Sequence, residues 1–315
     1  MLLRLLSLLI IFGLFTFNPV NTYAISYQEE TEKIKNEDKK APIKEAEEDK
    51  PTEPKKAVII KRPEIFSPVD ALKQKNQDIT HYLTADKITP MLAGDKDFIT
   101  IINENTSSNQ KGVMILLPDW EMTATSSNAL NYLQEILPSQ GWTTIAIQPP
   151  SRPIGYPSNA LMLSLQTEEN NKLLSQCQAN LTSIMTAVMS KAKDYPGIFV
   201  VVSKGSHAVL LADLYSSGKL ASPSAMVMLS GYMNTEADSL SFAKTLAKSE
   251  FPVLDLFLSR DNQLAHTDAN IRKAQATKEM KVYYRQAQLH NIHVGSYPEK
   301  QLLSSINGWL KFIGW

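Results

Sequence analysis

A chain of 315 residues with 43% hydrophobic content can bury one large core, which excludes a fibrous or wholly disordered protein. Its 32 Lys and Arg balance 32 Asp and Glu, so no global field selects a nucleic acid or an anionic membrane surface as partner. The single cysteine, Cys177, excludes an intrachain disulfide; it sits in a helical pattern among apolar residues and reads as a buried small hydrophobe.

The amino terminus reads as an export signal. Arg4 is followed by an apolar run, Leu5 to Phe17, too short to span a bilayer comfortably, and Thr22-Tyr23-Ala24 gives a small-x-small cleavage pattern. Residues 1–24 are therefore expected to be removed, leaving a mature chain that starts near Ile25, has no membrane span and lies in a periplasm. An uncleaved anchor in the inner membrane, facing the periplasm, is the alternative. Residues 25–62 form a charged linker: Glu29-Glu30, Lys39-Lys40 and Glu47-Glu48-Asp49-Lys50 alternate in sign, Pro42, Pro51 and Pro54 break any helix, and too few apolar residues offset the entropy of ordering. Residues 63–315 hold the folded domain.

Within that domain a helical pattern over Ser67–Leu83 leads to a strand at Phe98–Ile102. Gly112–Leu117 is a continuous apolar run of the kind buried on both faces of a parallel sheet. Leu130, Leu133 and Leu137 mark a helix, Trp142–Ile147 a strand, and Leu174, Cys177, Leu181, Ile184 and Val188 a long helix. Between Pro149 and Glu168 the chain has no period and reads as a lid or cap over the sheet. Then Pro196-Gly197 introduces the strand Ile198–Val202, followed by a tight turn and a helix with Ala208, Leu211 and Leu214 on one face. The alternation continues with strands at Ala225–Leu229, Val253–Leu258 and Val282–Leu289, helices at Leu240–Leu246 and Ala269–Ala276, and a closing helix carrying Leu302, Ile306, Trp309 and Leu310. This rhythm predicts an α/β fold: a mainly parallel sheet with helices on both faces.

The strand, turn and helix around residue 205 have the form of the nucleophile elbow of an α/β-hydrolase, which presents Gly-x-Ser-x-Gly at the end of a central strand. Here the frame is Ser203-Lys204-Gly205-Ser206-His207, with glycine where the nucleophile belongs. Together with Leu117-Pro118, Gly141-Trp142, Pro252-Val253-Leu254-Asp255, Tyr284-Arg285-Gln286 and the closing Gly308-Trp309-Leu310, this elbow makes the chain from about residue 79 onward resemble a family of gram-negative envelope proteins that is similar to α/β-hydrolases and has no known function. The resemblance implies an α/β-hydrolase fold and leaves the function open.

A serine hydrolase needs a nucleophile, an acid and a histidine, in that chain order in this fold, and N–H donors for the oxyanion. The acid slot holds Asp261 and the histidine slot holds His290 and His293. For the nucleophile three readings stand. Gly205 supplies none; a shift of one residue presents Ser206, at the cost of bulky Lys204 two positions ahead of it; a shift the other way presents Ser203. On the oxyanion side Pro118-Asp119 stands where a His-Gly would serve, and a carboxylate pointing inward there would repel the forming charge. Lys204 and His207 could give the cleft a positive rim; the alternative is a Lys204 that lies over the surface with its stem packed. No phosphate loop, zinc spacing or dinucleotide fingerprint occurs, so no cofactor and no metal are expected; His290 and His293 alone lack a third ligand. The sequence thus predicts an exported α/β-hydrolase-like protein with a degenerate elbow. It would be non-catalytic or weakly catalytic and would bind a small molecule or an envelope protein in the cell envelope. The rivals are an esterase-like serine hydrolase working through Ser206, Asp261 and His290 or His293, and an accessory subunit of an envelope assembly.

Overall fold

The computed structural model describes residues 70–126 and 128–315, so the apolar leader, its cleavage motif and the charged linker lie outside the described residues. The first helix, α1 (Ala71–Tyr82), starts at Asp70, whose Oδ1 accepts from the N–H groups of Leu72 and Lys73 at 3.0 and 3.1 Å. A hairpin of β1 (Ile88–Ala93) and β2 (Lys96–Asn103) follows. Next come β3 (Gly112–Leu117), α2 (Ala129–Ile136), β4 (Trp142–Ile147), α3 (Leu163–Ala192), β5 (Ile198–Lys204) and α4 (Gly205–Ser216). The chain finishes with β6 (Ala225–Leu229), α5 (Glu236–Lys248), β7 (Val253–Leu258), α6 (Gln263–Lys278), β8 (Tyr284–Leu289) and α7 (Glu299–Phe312).

The eight strands form one sheet in the order β1-β2-β4-β3-β5-β6-β7-β8. Strand β2 runs antiparallel to both β1 and β4; all other pairs are parallel. Because successive side chains point to opposite faces, β3 feeds two cores. Val113, Ile115 and Leu117 pack with Leu181 and Met185 of α3 and Leu211 of α4, while Met114 and Leu116 pack with Leu130 and Leu133 of α2 and Ile306 and Trp309 of α7. Each such fully buried Leu or Ile contributes about 1.5–3 kcal/mol relative to exposure. Both faces are covered, which is why the strand reads as an unbroken apolar run.

Three elements differ from the sequence reading. Strand β1 was not expected, because Pro90 and an irregular burial pattern hide it; as the outer strand of the sheet it pairs on one side only, where proline is tolerated. Helix α3 begins at Leu163, inside the stretch expected to lack regular structure, since its first turns carry polar residues that show no apolar face. Strand β8 starts at Tyr284 rather than Val282, and Val282 is exposed. The irregular stretch, now residues 149–162, is fastened to the body. Tyr156 is buried edge-on against Trp120, with ring centroids 5.7 Å apart, and its hydroxyl donates to Asp238 Oδ2 at 2.9 Å.

Candidate functional site

The parallel register that sets Leu117 of β3 against Ser203 of β5 brings the next residues of both strands, Pro118-Asp119 and Lys204-Gly205, side by side at the carboxyl edge of the sheet. There β5 turns directly into α4 through Gly205, at φ +62°, a left-handed conformation that favours glycine. This is the elbow, with Gly205 at the position of a nucleophile. The space a side chain at 205 would need is filled by the carboxyl group of Asp119.

In this fold the oxyanion site consists of the N–H of the residue after the nucleophile and an N–H from the loop after β3. Here those groups belong to Ser206 and Trp120. Both donate to one oxygen, Asp119 Oδ1, at 3.0 and 2.9 Å, and Asp119 Oδ2 accepts from the Tyr232 hydroxyl at 3.0 Å. Burial, reinforced by the Asp119 charge, pushes the Tyr232 pKa up and keeps that hydroxyl a donor. The carboxylate therefore lies in the oxyanion site, bound by the same donors that would stabilise a reaction intermediate.

The hydroxyls on either side of Gly205 are committed elsewhere. Ser206 is fully buried, and its Oγ donates to the Tyr232 carbonyl at 3.0 Å. Ser203 Oγ donates to the Leu117 carbonyl at 3.1 Å inside the sheet. Asp261 lies in the loop after β7, where its Oδ2 accepts from Leu258 N–H at 3.1 Å and from the Ser230 hydroxyl, and its Oδ1 from Asn262 N–H at 2.9 Å. His290 and His293 are exposed in the loop after β8, and neither side chain makes a hydrogen bond among the described residues. That loop is held instead by Asn291, which accepts from Ser259 and Arg260. No hydrogen bond among the described residues joins Ser206, Asp261 and either histidine.

His207 does not reach the rim. It is fully buried, and the Pro118 carbonyl lies 2.7 Å from its Nδ1, so Nδ1 carries the proton and donates; Nε2 has no partner among the described residues. Burial depresses its pKa. Lys204 lines a cavity between α2 and the segment leading into α7. Burial lowers its pKa, while the charges of Asp119 and Asp261 pull it back up, and its Nζ stands 5.7 Å from the ring centroid of Tyr297.

Tyr297 and Ser230 were not singled out in the sequence. Ser230 closes β6 with φ +48°, which aims its hydroxyl at both Asp261 and Tyr297, and the Tyr297 hydroxyl also reaches the Leu256 carbonyl at 3.2 Å. A polar serine directly after an apolar strand is the only sequence signal for it. Two of the family-like motifs meet in a separate network beneath the sheet edge. Asp255 pairs with Arg272 through both oxygens at 2.7 and 2.9 Å, and its Oδ2 also accepts from Tyr284 and Gln286 at 2.7 and 2.9 Å. Cys177 is buried, and desolvation pushes its thiol up to about 11, which keeps it unreactive. Among the described residues no group of three or more His, Cys, Asp or Glu is arranged to hold a metal, and no helix is long and apolar enough to cross a membrane.

The sheet order and the strand, turn and helix at Gly205 define an α/β-hydrolase-fold protein. The family comparison places it further: residues 35–178 and 156–312 match the family described as protein of unknown function (DUF3530), and the chain belongs to that family. No curated protein matches it. Solved structures similar to it include an α/β serine hydrolase homologue from Coxiella burnetii, at 9% identity and TM-score 0.50, covering 74% of this chain and 100% of that one. Dienelactone hydrolase from Anabaena variabilis matches at 10% identity and TM-score 0.51 over 72% and 96%. Est1E from Butyrivibrio proteoclasticus matches at 8% and 0.53 over 73% and 100%. At such identities the likeness shows the fold alone.

Proposed function

We propose that this protein is a non-catalytic member of the α/β-hydrolase fold, exported to the periplasm, that uses the hydrolase cleft to bind rather than to cleave. One observation carries this reading: the Asp119 carboxylate accepts the two N–H groups that an oxyanion would need. A negative charge held there opposes the charge that develops in acyl transfer, and removal of even one oxyanion donor costs a hydrolase on the order of a hundredfold to a thousandfold in rate. The commitment of the Ser206 hydroxyl to the Tyr232 carbonyl supports the same conclusion.

A fluorophosphonate probe tests it, because such a reagent labels only a serine activated by a base beside a working oxyanion site. The wild-type protein is expected to remain unlabelled. Labelling of Ser206 that is abolished by Ser206→Ala would overturn the proposal and make the protein a hydrolase. Intact-mass analysis of the exported chain tests the location; a chain that still begins at Met1 and stays with membranes would replace the periplasmic form by an anchored one.

A further inference from the structure

The side chain that ends β5 bears on what is bound. Lys204 is 8% exposed and lines a cavity of about 470 Å³ between α2 and the segment leading into α7. Its Nζ makes no hydrogen bond or ion pair among the described residues. The ammonium lies against the Tyr297 ring and is not fully enclosed, so its N–H donors face the cavity without a protein acceptor among the described residues. The two acids whose fields reach it have turned their oxygens to other donors: Asp119 to Ser206, Trp120 and Tyr232, and Asp261 to Leu258, Asn262 and Ser230. The donors of Lys204 are therefore left for whatever enters the cavity.

The rest of the lining narrows the occupant. Met122, Tyr132 and the ring of Tyr297 supply apolar and aromatic wall, and the volume falls within the range of small-molecule pockets. Glu135 and Glu299 line the same cavity and are exposed, which places negative charge toward its mouth and the single buried cation at its floor. The mouth carboxylates oppose the pull of this cation on any anion, and they oppose a dianion twice as strongly as a monoanion, so the arrangement favours the smaller charge. We propose that this cavity binds small molecules bearing one carboxylate, with the carboxylate on the Lys204 ammonium and the carbon skeleton against Met122, Tyr132 and Tyr297. The inference rests on the non-catalytic reading above and names a ligand class for the cavity that Lys204, next to Gly205 in the chain, lines.

Benzoate is the probe, with neutral benzamide and dianionic phenylphosphonate as controls, titrated against the full chain by ligand-observed saturation-transfer NMR. Benzoate is expected to bind at least about tenfold more tightly than either control, and Lys204→Met to weaken it by about tenfold to a hundredfold, the range for a hydrogen bond to a charged group. Asn131→Trp, which narrows the mouth and keeps Lys204, is expected to weaken benzoate as well and decides the matter if Lys204→Met does not fold. Equal binding of benzoate and benzamide, no benzoate binding, or benzoate binding indifferent to both substitutions would overturn the proposal. Failure here is distinct from failure of the non-catalytic reading: the first appears as absent benzoate binding in a protein that fluorophosphonate leaves unlabelled, the second as labelling of Ser206 whatever benzoate does.

Discussion

Gly205 and Asp119 occupy adjoining space that only one side chain can fill. A β-carbon at Gly205 would stand 2.1 Å from both Cγ and Oδ2 of Asp119. The glycine thus serves two purposes: it adopts the left-handed turn of the elbow, and it leaves room for the carboxylate that takes the oxyanion donors. A hydrolase elbow needs the first property and not the second.

Gly205→Ser is accordingly expected to destabilise the fold instead of restoring a nucleophile. The positive φ costs about 1–3 kcal/mol for a residue with a β-carbon, and overlap with Asp119 adds a comparable amount. In Asp119→Gly/Gly205→Ser the overlap is gone. Urea denaturation should show the double variant losing at least about 1 kcal/mol less than the sum of the two single variants, the signature of direct contact. Simple additivity would mean that the two residues do not share this space.

Asp119→Ala leaves the Ser206 and Trp120 N–H groups and the Tyr232 hydroxyl without their acceptor. Orphaning buried donors of this kind costs about 1–3 kcal/mol each, less whatever water can replace. Equilibrium unfolding should place the loss at about 2–4 kcal/mol. Asp119→Asn, which keeps one carbonyl oxygen for the two N–H groups, should lose less than half of that. Equal losses would assign the stabilisation to charge rather than to the acceptor geometry.

The four apolar strands on either side of the elbow were legible because burial on both faces writes itself as an unbroken hydrophobic run: Gly112–Leu117, Trp142–Ile147, Ala225–Leu229 and Val253–Leu258 have the bounds the sequence predicts. Strand β1 was not legible, since an outer strand with Pro90 at its middle has neither the run nor the alternation. At the site, the glycine at 205 and the acid at 119 both stood out as anomalies, but their relation did not: Asp119 and Ser206 are 87 positions apart and meet only through the pairing of β3 with β5. The depth of His207 was equally hidden, because α4 is apolar nearly all round and gives no face to assign it to.

The ion pair of Asp255 and Arg272 is almost wholly shielded, with side-chain exposures of 0% and 4%. Arg272 also donates to the Gly231 carbonyl at 2.7 Å, directly beneath the turn that carries Tyr232 to Asp119. Removing one partner strands the other charge in the interior. Arg272→Met is therefore expected to cost about 3–5 kcal/mol, read by urea denaturation, and to loosen the Gly231-Tyr232 turn. A loss under about 1 kcal/mol would show that solvent reaches the pair.

His207 contributes to the protein's response to mild acid. Its Nδ1 donates to the Pro118 carbonyl at 2.7 Å and its Nε2 is buried without a partner, so the native state holds the neutral ring and burial depresses its pKa below the usual 6.5. In the unfolded chain the same ring takes up a proton at about the usual value. Above pH 6.5 neither state binds that proton and the residue adds no pH dependence. As the pH falls below 6.5 the unfolded state binds one proton more than the native state, so stability falls, with a slope that approaches about 1.4 kcal/mol per pH unit, until the depressed native pKa is reached. Other groups titrate in the same window, and the comparison with His207→Phe isolates this one. The aromatic replacement loses the bond to Pro118 and is less stable at neutral pH, but its unfolding free energy should decline less steeply between pH 6.5 and 5. Parallel declines in the two proteins would place the proton uptake on another group and the imidazole of His207 within reach of solvent.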